Sequence, residues 1–274
     1  MTRRQAVERA LGRPARRYRE VEEGWDFVVV VVDEAWAFRF PRRAAVVPPL
    51  ETEIALLPEL ADRLPVAVPR FEHVVRSRPA FVGYRLIEGE PLPPGARLAA
   101  TDVGRFLSAL HAFDPERAHA LGVPRSDWQE HYREQCAEFE RRVLPLVPSA
   151  DRPQAERLLA ETTILVGFTA TLLHADLGPG HLLCRGDRLA GVIDWGDACV
   201  GDPALDLSWL LHELRAPAVD ALLAAYGGAP DTGFGERARF YHALAPWYEA
   251  HCGVFTDQPA LVVSGLEGIQ RRLP

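Results

Sequence analysis

The hydrophobic pattern of the first third of the chain predicts a small mixed lobe. Residues 20–47 contain an unbroken valine run, an Asp-Glu-Ala turn and the segment WAFRF, a pattern that predicts a β-hairpin. The following segment, PPLETEIALLPELADRL, has apolar residues at Ile54, Leu57 and Leu60 with acids between them, which predicts one amphipathic helix. PVAVPRFEHVV and PAFVGYRLI then predict two more strands. This order of elements is typical of an α+β lobe.

After Ile87 the pattern changes to helical periodicity. EGEPLPPGARL is rich in Pro and Gly and indicates the passage out of the small lobe. ATDVGRFLSALHAFD follows, with Thr101 as the expected N-cap. Only TLLHAD and HLLCRGDRLAGVIDW interrupt the helices with strand-like runs, the second split by a Gly-Asp turn. We therefore expect residues 1–87 to form an antiparallel-sheet lobe with one helix, and residues 88–274 to form a larger, mainly helical lobe.

Length and composition narrow the class of protein. With 274 residues and 48% hydrophobic content, the chain can bury a sizeable core. No apolar run approaches the roughly 18 residues of a membrane span, and the amino terminus lacks the apolar centre of a secretion signal, so we expect a cytoplasmic protein with no membrane partner. The four cysteines form no C-x-x-C pair, which argues against a disulfide framework or a zinc knuckle.

The charged residues are unusual in type and in distribution. All 31 basic residues are arginine, so chemistry that needs a lysine amine, such as a Schiff base or a Walker-A phosphate contact, is excluded. The formal charge of −7 is also uneven, because residues 1–87 carry a net charge of +3 and the remainder carries −10. The larger part is therefore expected to repel nucleic acid and to attract a cationic ligand.

Asp176, His181, Asp194 and Asp197 stand at the ends of short apolar runs, where strands deliver side chains into a cleft. Asp194 together with His181 can hold a divalent ion, either Mg²⁺ or, because imidazole is a less usual ligand of magnesium, Mn²⁺. Asp176 can accept a proton from a hydroxyl group. Each residue alone has a structural explanation, but their order and spacing favour a phosphoryl-transfer site.

The segments that hold these residues resemble a known family. LLHADLGPGHLL followed by GVIDWGDACVGDPALDLSWLL is similar to the catalytic and metal-binding segment of the aminoglycoside phosphotransferase family, antibiotic kinases with a two-lobed, protein-kinase-like fold. EEGWDFVVVVV, WAFRFPRR, ETEIALLPEL, FVGYRLIEGEPL and DVGRFLSALHAF stand in the family's order, so the resemblance covers nearly the whole chain. Many members of the family carry Asn where this chain has the histidine of GPGH, and in this respect the chain resembles the aminoglycoside 2″-phosphotransferases and the macrolide 2′-phosphotransferases.

The resemblance implies a role for individual residues of the large lobe. Asp176 is the implied catalytic carboxylate, and His181 and Asp194 are the implied metal ligands. His174 is implied to brace the catalytic loop, and Asp206 is implied to anchor that loop by hydrogen bonds.

In the small lobe the resemblance implies a site for ATP or GTP. The implied site comprises a turn over the phosphates, the hinge backbone, and a cation with its helix partner: Gly24, Asp26 and Phe27; Arg85 and Ile87; Arg39 and Glu53. Many family members carry lysine where this chain has Arg39. A guanidinium group also binds phosphate and pairs with glutamate, so we expect the site to work, with a shifted geometry.

The resemblance implies a kinase that phosphorylates a hydroxyl group of a small molecule, and the charge of the large lobe favours a cationic, aminoglycoside-like acceptor. Asp197, Glu213 and Glu249 are the candidate acidic contacts. A macrolide would instead need an apolar floor, for which APWYEAHCGVF supplies Trp247, Tyr248 and Phe255, although their near-helical spacing is more typical of a core. Small alcohols such as choline or homoserine stay open as acceptors.

Two other classes of protein are possible. A nucleotide-binding protein with little catalysis is compatible with Arg39, but the presence of Asp176, His181 and Asp194 argues against it. A metal-dependent hydrolase would need a second ligand cluster, and the sequence has none with suitable spacing.

Overall fold

The computed structural model describes residues 1–21 and 25–273. Helix α1 (Arg3–Leu11) comes first, and helix α2 (Val47–Leu60) connects two groups of strands in a five-stranded antiparallel sheet of order β1-β2-β3-β5-β4. The strands are β1 (Tyr18–Val21), β2 (Phe27–Val32), β3 (Trp36–Pro41), β4 (Phe71–Val75) and β5 (Phe81–Arg85). The predicted hairpin is confirmed as β2 and β3, in which Val32 pairs with Trp36.

Both faces of this sheet are buried. The face that carries Val30 packs on Val7 of α1, and the face that carries Phe27 packs on Leu50 of α2. The alternation of side chains along β2 sends neighbouring valines to opposite helices, which explains why an unbroken apolar run is used here. The expectation of a single helix in this part of the chain is wrong, because α1 covers the second face.

The second part of the chain is mostly helical and contains one large core. Its helices are α3 (Arg97–His111), α4 (Pro115–Ala120), α5 (Trp128–Arg142), α6 (Arg152–Ala160), α7 (Ala204–Glu213), α8 (Ala216–Ala225), α9 (Phe234–Phe255) and α10 (Pro259–Arg272). Helix α3 begins four residues before the expected N-cap, so Thr101 is an interior residue whose hydroxyl donates to the Arg97 carbonyl at 3.1 Å. None of the helices in the described ranges is long and apolar enough to cross a membrane.

Two small sheets inside this helical part carry the loops of interest. β7 (Thr171–Leu173) pairs with β10 (Cys199–Gly201), and β8 (Leu182–Arg185) lies between β6 (Glu90–Pro91) and β9 (Arg188–Val192). A parallel bridge joins β9 to the chain that follows α2, with the Ala67 N–H donating to the Ala190 carbonyl at 3.2 Å. This bridge links the β6-β8-β9 sheet to the connection between α2 and β4.

Candidate active site

The loop after β7 has an unusual backbone. His174 is fully buried. Ala175 has a φ of +69°, a left-handed conformation that is energetically unfavourable for a residue with a side chain. Asp206, from the first turn of α7, accepts the His174 N–H at 2.9 Å and the Ala175 N–H at 2.7 Å. Asp176 follows directly and is exposed. The loop therefore presents the Asp176 carboxylate from a backbone that Asp206 holds in place.

His174 links this loop to the segment that carries Asp194. Its Nδ1 accepts the Asp176 N–H at 3.3 Å, and its Nε2 donates to the Ile193 carbonyl at 3.0 Å. Burial lowers the pKa of His174, which favours the neutral ring that these two opposite roles require. The ring thus ties the position of Asp176 to that of the residue before Asp194.

His181 has one ring nitrogen engaged and one turned toward Asp194. Its Nδ1 lies 2.7 Å from the backbone carbonyl of Asp176, which can only accept, so Nδ1 carries the hydrogen. The other nitrogen, Nε2, lies 3.8 Å from the Asp194 Oδ2. Because the bond to the Asp176 carbonyl keeps the hydrogen on Nδ1, the lone pair of Nε2 is free to bind a metal ion.

The donors fit a divalent cation that also binds phosphate. The imidazole nitrogen of His181 and the carboxylate of Asp194 are close enough to share one ion, and Asp194 itself is exposed. Within the described part of the chain there is no group of three or more His, Cys, Asp or Glu side chains that could hold a metal alone. Mg²⁺ usually keeps several waters and takes only one or two carboxylates from the protein, so a two-residue site suits a metal-nucleotide complex.

Arg39 on β3 joins the two halves of the site. Its Nη1 donates to the Glu53 Oε2 at 2.6 Å and its Nη2 donates to the Asp194 Oδ1 at 2.9 Å, while the Phe27 ring lies 3.9 Å from the guanidinium carbon. Although burial opposes its charge, Glu53 and Asp194 raise the pKa of Arg39. Burial raises the pKa of Glu53, and the attraction of Arg39 opposes that rise. Removing either Arg39 or Glu53 would leave the other as an unpaired buried charge, which would destabilise the fold.

The other predicted nucleotide contacts are placed as follows. Gly24 lies outside the described residues, and Asp26 pairs with Arg43 at 2.6 Å. The Arg85 guanidinium stacks on the Trp36 ring, with 3.9 Å between the guanidinium carbon and the ring centroid. Ile87 packs toward β9, where a Cβ added to Gly191 would lie 2.6 Å from the Ile87 Cγ2.

A cavity of about 660 Å³ lies beside this hinge. Its walls come from the α2–β4 connection, the end of β5 and the β8–β9 hairpin, and they include Arg85 and Ile87. Neither Asp176 nor Asp194 lines the cavity. This cavity therefore does not mark the place where Asp176, His181 and Asp194 converge.

Asp197 lies among the other carboxylates of the cleft. Burial, followed by repulsion from Asp176 and Asp194, raises the pKa of Asp197 to about 6, although the outer side of the residue is exposed. On α9, Tyr248 is partly exposed and packs edge-on against Phe139 at 4.9 Å. Burial and, to a lesser degree, the charges of Cys136 and Asp197 raise the pKa of Tyr248, so Asp197 lies near both Asp176 and Tyr248.

Three predicted acceptor contacts do not join this group. Trp247 is completely buried and packs against Phe139 at 6.0 Å, so its assignment as a substrate contact is wrong and it is a core residue. Glu213 is already paired with His242 at 2.8 Å and Arg272 at 3.0 Å at the far end of α7. Glu249 is half-buried on α9 and follows Tyr248, about 100° further around the helix.

The sequence did not predict two residues of the hydrogen-bond network around Asp206, His111 and Tyr226. His111 on α3 lies 3.2 Å from the Asp206 Oδ2 through its Nε2, and its Nδ1 lies 2.7 Å from the hydroxyl of Tyr226. A histidine in the apolar stripe of LSALHAF was the available signal, because a buried imidazole needs polar partners on both nitrogens.

Comparison with known proteins identifies the family. The sequence model of the phosphotransferase enzyme family matches residues 17–241, so the chain belongs to this family. Viomycin phosphotransferase of Streptomyces vinaceus is 30% identical over 175 residues, which are 59% of each chain. A homoserine kinase of Nitrobacter hamburgensis is 31% identical over 165 residues, covering 55% of this chain and 48% of the relative. The matches thus span 59% and 48% of the length of these two relatives.

Solved structures confirm the predicted fold. The GDP and kanamycin complex of APH(2″)-IIIa superposes with a TM-score of 0.86 at 23% identity and covers 98% of this chain and 97% of the other. Macrolide 2′-phosphotransferase MphH of Brachybacterium faecium superposes with a TM-score of 0.77 at 27% identity and covers 97% and 96%. The chain therefore has the two-lobed, kinase-like α+β fold of these antibiotic phosphotransferases.

Proposed function

We propose that this chain is a small-molecule kinase that transfers the γ-phosphoryl group of ATP or GTP to a hydroxyl of a cationic, aminoglycoside-like antibiotic. The observation that carries the proposal is the convergence of Asp176, His181 and Asp194 in one cleft of a phosphotransferase-family chain. His181 Nδ1 lies 3.4 Å from the Asp176 carboxylate, and its Nε2 lies 3.8 Å from that of Asp194.

Each of these groups has a distinct chemical task in the proposed reaction. Asp176 accepts the hydrogen bond of the acceptor hydroxyl and orients its oxygen, which contributes mainly through positioning. His181 and Asp194 would hold Mg²⁺ or Mn²⁺, and a bound ion neutralises phosphate charge. Arg39 supplies a fixed guanidinium next to the same cleft, buried except for 4% of its surface.

We assign the nucleotide to residues 1–87 and the acceptor to residues 88–274. Arg39 lies on the face of the five-stranded sheet that packs on α2, where it contacts Glu53. The hinge backbone at Arg85 and Ile87 offers peptide groups to a purine. Solved relatives in complex with GDP, ADP and ATP support a nucleotide here and leave both purines open. The proposed nucleotide is therefore ATP or GTP.

The proposed acceptor carries amines. Burial, followed by repulsion from the Asp176 and Asp194 carboxylates, raises the pKa of Asp197, and a cationic acceptor would relieve this repulsion. Residues 88–274 carry a net charge of −10, which supports a cationic small molecule and not a nucleic acid as the partner. The kanamycin complex of one relative supports the same class.

Homoserine is the second candidate acceptor, because the homoserine kinase of Nitrobacter hamburgensis shares 31% identity with part of the chain. Its carboxylate would meet the like charges of Asp176 and Asp197, which makes it the weaker candidate. A macrolide is also a weaker candidate acceptor than the sequence indicates, because Trp247 is buried and cannot form part of an apolar floor.

The proposal is tested by a screen of acceptors. Purified protein is mixed with Mg²⁺ or Mn²⁺, ATP or GTP, and one of kanamycin, viomycin, a macrolide, homoserine or choline, and nucleoside diphosphate release is measured. We expect acceptor-dependent release with at least one amine-bearing antibiotic. Release that no acceptor stimulates would contradict the proposed function.

A further inference from the structure

A hydrogen-bonded chain connects the catalytic loop to the surface of the large lobe. It begins at Asp206, which is 1% exposed and accepts the N–H groups of His174 and Ala175 on its two oxygens. The third contact of this carboxylate is the Nε2 of His111 at 3.2 Å. Beyond the ring, the His111 Nδ1 lies 2.7 Å from the hydroxyl of Tyr226, which is half-buried.

The direction of each hydrogen bond follows from the partners. Asp206 accepts from the backbone on both oxygens, so the His111 Nε2 is the donor in their contact. In the neutral ring Nδ1 then has a lone pair, and the Tyr226 hydroxyl donates to it. Both nitrogens of His111 are therefore satisfied, and Tyr226 selects the tautomer that faces Asp206.

The packing of α8 on α3 places the Tyr226 hydroxyl. The helices approach so closely that a Cβ added to Gly104 would lie 2.4 Å from the Leu222 carbonyl oxygen. The Ser108 hydroxyl accepts the Gly227 N–H at 2.7 Å and clamps the chain that follows α8. A Cβ at Gly228 would lie 2.2 Å from the Tyr226 Cζ, so the ring has room only beside a glycine.

We propose that His111 and Tyr226 are positioning residues for Asp176. By holding Asp206, they keep its oxygens directed at the N–H groups of the catalytic loop. These hydrogen bonds maintain the left-handed conformation of Ala175, whose φ of +69° is unfavourable for a residue with a side chain. Neither residue contacts a reacting group in this arrangement. The consequence for turnover rests on the proposed kinase function.

The kinetic test compares Tyr226→Phe with Tyr241→Phe. Tyr241 is a matched control, because its hydroxyl also donates to a buried carboxylate, that of Asp202 at 2.9 Å, and its hydrogen bonds within the described residues go to Asp202 and Trp128 and not to the catalytic loop. We expect Tyr226→Phe to lower kcat by about tenfold with the KM for nucleotide within about twofold, as for the loss of one supporting hydrogen bond. Tyr241→Phe should keep kcat.

A second pair of variants separates positioning from packing. The terminal amide of His111→Gln can still donate to Asp206, whereas His111→Ala cannot. We expect the Gln variant to recover most of the kcat that the Ala variant loses. Equal losses in the two variants would show that the ring only fills space.

Amide hydrogen exchange of His174 and Ala175 tests the same inference without a substrate. Tyr226→Phe should raise their exchange rates about tenfold or more, and Tyr241→Phe should leave them unchanged. Unchanged exchange in Tyr226→Phe, or equal acceleration in both variants, would overturn the inference. A wild-type protein that transfers no phosphate would overturn the proposed function and would leave this exchange measurement decisive for the positioning role.

Discussion

Arg39 shows how one side chain can serve two elements. Its planar fork sends one nitrogen to Glu53 on α2 and the other to Asp194, 155 residues further along the chain. The second oxygen of Glu53 has no hydrogen-bond partner in the described part of the protein. Glu53 is only 1% exposed, so its charge depends on Arg39.

Two substitutions of Arg39 should behave differently. Arg39→Met removes the positive charge beside buried Glu53 and should lower the free energy of unfolding by about 3–5 kcal/mol, as measured by urea denaturation. Arg39→Lys keeps a cation and should preserve or raise turnover, measured as nucleoside diphosphate release. A complete loss of turnover in the stable Lys variant would show that the site depends on the guanidinium geometry.

Asp194 should control the response to metal. Asp194→Ala removes the carboxylate that faces the His181 Nε2, so we expect nucleotide binding that no longer increases with Mg²⁺ or Mn²⁺. Calorimetric titration of nucleotide with metal, and again with a chelator, measures the difference. Asp187→Ala, at the exposed turn between β8 and β9, is the control. An unchanged metal response in Asp194→Ala would remove this residue from the metal site.

Among the elements, those with strong local patterns were predictable and those fixed by distant partners were not. The valine run and WAFRF predicted β2 and β3 because each strand carries its own apolar signal. Helix α1 was missed because it buries little more than Ala6 and Val7, although Thr2 and Gln5 form a capping box that the sequence contains. The start of α3 was also misplaced, since Thr101 is bonded to a carbonyl within the helix.

Helix α3 is held to β9 by a charged contact that should respond to pH. Asp102 accepts from the Arg188 Nε at 2.6 Å and Nη2 at 2.8 Å, and this pairing lowers the pKa of Asp102. A lowered pKa contributes stability above the unfolded value near 4 that is lost as the pH falls. Because Arg188 is 60% exposed, we expect Asp102→Asn to cost only about 1 kcal/mol at pH 7.

The measurement for Asp102 is the free energy of unfolding of wild type and Asp102→Asn at pH 7 and at pH 3. The difference should shrink at the lower pH, because pH 3 lies below the unfolded pKa of an Asp carboxyl, so the unfolded wild-type chain binds a proton there that the folded protein, with its lowered Asp102 pKa, resists. A difference of the same size at both pH values would show that the Asn variant acts through packing and not through charge.

For the molecule as a whole, the sequence predicted which acidic and histidine side chains lie near each other in the cleft but not how they are connected to the rest of the fold. Asp176, His181 and Asp194 lie within twenty residues of each other, so a single loop and strand reveal them. The link from His111 to Asp206 spans 95 residues and joins α3 to α7, and the Tyr226 hydroxyl that contacts the other side of the ring comes from the chain after α8. The acceptor contacts were the least predictable, because helical spacing alone does not separate buried Trp247 from exposed Tyr248.

The acidic character of the large lobe should determine acceptor affinity. Asp197→Asn removes one carboxylate from the cleft, so we expect the KM for a cationic aminoglycoside to rise about tenfold, about 1.4 kcal/mol, while the KM for nucleotide changes little. Added salt should weaken acceptor binding less in the variant than in wild type. Asp187→Asn is the control for general charge, and an equal rise in KM for both variants would contradict a specific role for Asp197.

The central claim is that Asp176 orients the acceptor hydroxyl for phosphoryl transfer, and the most direct measurement is the transfer of γ-phosphate label from ATP or GTP to an amine-bearing antibiotic by wild type and Asp176→Asn. We predict a labelled antibiotic with wild type, labelling about 10²–10⁴-fold slower with the variant, and nucleotide affinity nearly equal in the two. Equal labelling by both proteins, or equal loss of transfer and nucleotide binding in the variant, would contradict the account.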